Sequence, residues 1–158
     1  SGLFHDVFLH EHGSMAQPFP INHYTPGDRV WFRNPDPRSS DVAGYEGSWV
    51  IYLGGGLFAN FWKEEVPFTL EGKCLEVHHW RDAVVGEDAD SITIDESIVE
   101  ARVRLTRADP NAFAAILAAM KCYRASPDSD VVGGCIDTTR ESARRVRPET
   151  GDLVIPPP

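Results

Sequence analysis

Between Trp49 and Trp62 the chain reads WVIYL, then GGG, then LFANFW. An apolar run without alternation suits a strand covered on both faces, and three glycines close it tightly, so 49–62 predicts a β-hairpin. Period two puts Phe58, Asn60 and Trp62 on one face of the return strand and Leu57, Ala59 and Phe61 on the other. Upstream, Pro26-Gly27 turns the chain into DRVWFR (28–33), a short strand of β-branched and aromatic residues that Asn34-Pro35-Asp36-Pro37 ends. CLEVHHW (74–80) also alternates, predicting a third strand with Leu75, Val77 and His79 inward and His78 outward.

Helical spacing takes over downstream. Residues 94–105 carry glutamates early and arginines late, as a helix dipole favours. Asp109-Pro110 is a start signal, and Phe113, Ile116, Leu117 and Met120 follow on one stripe, predicting an amphipathic helix over 110–123. In VVGGCIDTTRESARRV (131–146), Gly133 and Gly134 allow a tight approach and Ile136, Thr139, Ala143 and Val146 share a helical stripe, so a last helix is expected over 135–146. The pattern as a whole is α+β: a small antiparallel sheet from 28–33, 49–62 and 74–80, packed against helices near 95–106, 110–123 and 135–146. Residues 1–25, rich in histidine and proline, read as a solvated N-terminal arm without regular structure past Gly13, and 26–158 as a single domain.

Composition narrows the function classes. A net charge of −9 and a pI near 5.0 argue against phosphate-backbone contact, so no nucleic-acid partner is expected. No apolar run is long enough to span a bilayer. Three cysteines, Cys74, Cys122 and Cys135, form no C-x-x-C pair and are expected as reduced thiols. The histidines lack metal-ligand spacing, and the triple glycine lacks the lysine and helix of a phosphate loop, so neither metal nor cofactor is expected.

The expected chemistry centres on Cys135. In the first turn of a helix, unpaired N–H groups and the dipole favour a thiolate, the form of cysteine that attacks carbonyl carbon. His79 is the candidate base, Glu46 or Asn60 its orienting partner, and the N–H groups of Gly134 to Ile136 the oxyanion donors. The plain alternative makes Cys135 a small half-buried thiol and His79 a satisfied core histidine.

Two blocks, PGDRVWFRNPD (26–36) and GYEGSWVIYLGGGLF (44–58), resemble the NlpC/P60 branch of papain-like proteins, and within it the bacterial spore-type protein-glutamine γ-glutamyltransferases. Residues 110–146 are similar to the circularly permuted members, whose cysteine helix follows the strands. The resemblance implies a papain-like fold and cysteine-dependent acyl transfer on a protein glutamine or a peptide, giving a thioester resolved by an amine or by water. It also implies a soluble bacterial protein, secreted or delivered as a toxin or effector domain, with a cognate inhibitor or immunity protein as partner. The sequence departs from the pattern at two positions. Ser48 stands where relatives place a histidine, or the spore enzymes a glutamate, and Asn60 stands near the spore enzymes' histidine. His79 and Glu46 are then the substitutes. Peptidoglycan peptide hydrolysis, and a non-catalytic binding or adaptor module using aromatics around Trp62 and Trp80, stay open as alternatives.

Overall fold

The computed structural model describes residues 7–61, 66–88 and 91–144. Trp62 and Val146 therefore lie outside the described residues. The elements are β1 (Leu9–Gly13), β2 (Arg29–Arg33), α1 (Pro37–Ser40), β3 (Gly47–Gly54), β4 (Leu57–Asn60), β5 (Phe68–Thr69), α2 (Leu70–His79), a single 3-10 turn (Trp80–Asp82), β6 (Val84–Val85), β7 (Thr93–Ile94), α3 (Glu96–Ala108), α4 (Pro110–Met120) and β8 (Ile136–Ala143). Six strands make one sheet in the order β1-β8-β2-β3-β4-β5, every neighbour antiparallel, and β6 pairs with β7 apart from it. The fold is α+β, a small antiparallel sheet packed against helices.

Alternation along the strands explains the layers. Val30, Phe32, Val50 and Phe58 are at most 2% exposed and meet Cys74 and Val77 of α2, Val99 of α3 and Met120 of α4 in one core. Burying each such side chain is worth about 1.5–3 kcal/mol, so this face holds the sheet to the helices. On the opposite face Trp31 and Trp49 stand side by side, ring centres 5.0 Å apart, with the Arg29 guanidinium 3.9 Å over Trp49. The hairpin turn follows its three glycines, whose φ values of +97°, +61° and +79° at Gly54, Gly55 and Gly56 suit residues without a Cβ.

The PGD and NPD segments are architecture. Asp28 is buried, accepts from the Thr25 N–H at 2.6 Å and pairs with Arg140 of β8. Asn34, equally buried, donates to Ser39 Oγ and the Tyr45 carbonyl at 2.9 Å, while Asp36 caps α1 by accepting from Ser39 N. These motifs position the loop between β2 and β3.

Two expectations are corrected. Residues 74–80 are helical, within α2, because Thr69 caps a helix by accepting from Gly72 N and because Lys73, Cys74, Leu75, Val77 and His79 are all buried. A helix enclosed on most sides shows no 3.6-residue stripe, and CLEVHHW alternates by accident of composition. The helix expected over 135–146 is instead the strand β8 across 136–143, inserted between β1 and β2. Gly133 and Gly134 serve close approach rather than a helix turn. A Cβ on Gly134 would lie 2.4 Å from the Cys122 carbonyl oxygen, and one on Gly133 2.0 Å from Ala125 N. Within the N-terminal segment, β1 ends at Gly13 and is an edge strand paired with β8 from Leu9↔Ala143 to Gly13↔Thr139. Among the described residues no helix is long and apolar enough to cross a membrane.

Candidate functional site

A cavity of about 460 Å³ opens where the start of β3 and the end of β4 meet α2 and α3. The pleat of β3 puts Ser48 and Val50 on one face, and the hairpin register pairs Val50 with Asn60, so Ser48 and Asn60 emerge together at the rim. Ser48 Oγ donates to Asn60 Oδ1 at 3.5 Å, and Lys73 Nζ donates to the same oxygen at 3.2 Å. The Lys73 side chain is 1% exposed, lies 2.7 Å from Glu76 and holds its ammonium 4.3 Å from the centre of the Phe68 ring. A buried ammonium requires such partners.

Glu46 reaches the cavity from the loop before β3 and accepts from Gly44 N at 3.3 Å. Tyr45 donates its phenol to Glu96 Oε1 at 2.7 Å and stands edge-on to Trp80, ring centres 5.1 Å apart. Burial, then the Glu96 carboxylate, push the Tyr45 phenol well above its ordinary range. Trp31, Trp49 and Trp80 supply apolar walls. Gly47 must be glycine here, since a Cβ would lie 2.3 Å from the Trp31 ring. The site thus offers a hydroxyl, a carboxamide and an ammonium beside the carboxylates of Glu46, Glu76 and Glu96.

Of the residues expected to combine around Cys135, Glu46 and Asn60 line this cavity and Cys135 and His79 do not. Cys135 precedes β8 with no exposed surface, its Sγ 3.3 Å from Cys74 Sγ and 3.2 Å from the Met120 carbonyl oxygen to which it donates. The hydrogen bond with Cys74 and burial push its thiol well above the ordinary cysteine range, opposite to the shift a helix N-terminus would give. The N–H groups expected to hold an oxyanion are spent. Gly134 N donates to Tyr123 O, Cys135 N to Met120 O and Ile136 N to Cys122 O at 3.1, 2.9 and 3.1 Å.

His79 joins two helices. Its Nδ1 lies 2.7 Å from Asp82 Oδ2 and its Nε2 2.8 Å from Thr106 Oγ1 of α3. Lys73 is the site residue that sequence reasoning missed, hidden in a charged link before an expected strand. The K-x-x-E spacing of Lys73 and Glu76 is the signal that a helical reading of 70–79 would have exposed.

The comparisons with known proteins bear on the same segment. No curated protein and no solved structure matched significantly. The family model described as protein-glutamine gamma-glutamyltransferase matches residues 1–125, which span β1 through α4 and every residue named at the cavity but not Cys135 or β8. On that match, over most of its length, the chain belongs to the protein-glutamine gamma-glutamyltransferase family, whose chemistry is transglutaminase-like acyl transfer.

Proposed function

We propose that this chain engages the glutamine side chains of other proteins at the Ser48–Asn60 cavity, and that Cys135 does not carry acyl transfer there. The observation that supports this reading most is the pair itself. Ser48, where the spore-type enzymes carry glutamate, and Asn60, near the place of their histidine, lie in mutual hydrogen-bond contact beside Lys73, and neither can act as a base at neutral pH. A carboxamide fits the inventory. Its oxygen accepts hydrogen bonds from Ser48, the Asn60 amide or Lys73, its NH₂ donates to Glu46 or Glu76, and the tryptophan walls cover its methylenes.

The test is direct because three tryptophans border the cavity. Titration with an unfolded glutamine-rich protein should change the tryptophan emission saturably, the same protein with glutamines replaced by glutamates should not, and Asn60→Ala should weaken binding at least about tenfold. No incorporation of a labelled primary amine is expected. Failure to bind, or equal response to the glutamate version, sinks the reading.

Family membership favours a second reading, catalysis of the acyl transfer itself. On that reading the labelled amine is incorporated and Cys135→Ser abolishes the incorporation. An NlpC/P60-type ancestry is compatible with either. The permuted arrangement loses the helix at 135–146 on which it rested.

A further inference from the structure

We infer that Cys74 and Cys135 form a redox site, a buried dithiol that closes to a disulfide between α2 and the start of β8. Their sulfurs lie 3.3 Å apart, although 61 residues separate them along the chain. A disulfide bond is about 2.05 Å long, so closure needs the sulfurs to approach by only a little over about 1 Å. Both side chains have no exposed surface, Cys74 on α2 and Cys135 in the segment that leads into β8. The backbone there is pinned by Cys135 N to Met120 O and Ile136 N to Cys122 O at 2.9 and 3.1 Å. The pair is therefore prearranged, not brought together by chance encounters of mobile loops.

The electron balance is that of thiol–disulfide exchange with a low-molecular-weight disulfide. One protein thiolate attacks the reagent and forms a mixed disulfide, releasing the first small thiol. The second protein sulfur attacks that mixed disulfide, forming the Cys74–Cys135 bond and releasing the second small thiol. Two protein thiols are oxidised, one small disulfide is reduced, and both protons leave on the released thiols. Burial gates the first step, so its rate follows local opening of the α2–β8 contact. Cys122 is exposed, so its reaction needs no such opening and is separate.

The bond would also tie the cavity to the sheet's interior, since Cys74 adjoins Lys73, whose ammonium holds Asn60.

Incubation of a Cys122→Ser chain with oxidised glutathione, followed by acid quenching, alkylation and peptide mapping, tests the site. The expected result is a slowly formed linked peptide pair containing Cys74 and Cys135, loss of both free thiols together, and a Tm raised by more than about 5 °C that reductant reverses. Free thiols at both positions, or glutathione retained on either one, overturns the proposal. So does an equal rise in Tm when Cys74→Ser is added. Peptide mapping of the unsubstituted chain under the same conditions reads the same linkage, so the outcome does not depend on any variant folding.

Discussion

Single residues carry the sharpest consequences where a backbone passes within reach of another. Gly134 faces the Met120 and Cys122 carbonyl oxygens so closely that a Cβ would meet them at 2.5 and 2.4 Å. Gly134→Ala should therefore cost about 3 kcal/mol in urea unfolding, whereas Gly55→Ala, with a φ of +61° but nothing within 4 Å, should cost about 1 kcal/mol. Glycine at 134 was visible in the sequence, but its purpose was not, because the partner backbone lies twelve residues away in a loop that no local pattern brings near. His78 makes a second case. Burial, helped by Arg81 and His79, lowers it from 6.5 to about 4, and its Nδ1 is buried without a partner. The unfolded chain takes up this proton first as pH falls. The stability tied to neutral His78 is thus complete above about pH 6.5 and drains away as pH drops through about 4. His78→Gln should flatten that part of the stability–pH curve, as measured by denaturant titration at successive pH values; an unchanged slope would count against it.

Elements differ in how much of their cause is local. The helix α4 was legible because Asp109 accepts from Asn111 N and Ala112 N at 2.9 and 3.2 Å and Pro110 follows, so cap and stripe agree. Asp109→Ala should cost about 1 kcal/mol and Asp109→Asn much less, a contrast that urea unfolding reads directly. The β3–β4 hairpin was legible for the same reason, its glycines and its apolar run stating one answer. By contrast β8 buries Thr138 beside Ile136 on the inward face and Glu141 on the other, beside Arg29, so it carries no apolar alternation. What makes it a strand is pairing on both sides and the contact of Glu141 with Arg29 at 3.1 Å, both long-range. Because 136–143 is a strand and not a helix, the Cys135 sulfur lies in the core, away from the cavity that Glu46 and Asn60 line. Lys73 was lost when α2 was read as a strand.

At the scale of the whole molecule, the extent of the family match and the extent of the folded unit differ. The match ends at residue 125, yet β8 fills the space between β1 and β2. It also brings Arg140 to the buried Asp28 and Glu141 to Arg29. A chain ended at 125 would leave Asp28 buried without its cation, at about 3–5 kcal/mol, and would open the ladders on both flanks. Such a chain should show no cooperative thermal transition by near-ultraviolet circular dichroism, while the 158-residue chain should. A sharp transition in the shorter chain would mean that the cavity half stands alone.

The interior position of that late strand also sets an order of events during synthesis. A ribosome releases β1 and β2 long before the segment that must lie between them, and until it emerges the two have no shared partner and expose unpaired edges. Completion of this sheet therefore waits for β8, and the nascent chain depends in the meantime on the β2–β3–β4 meander for whatever order it has.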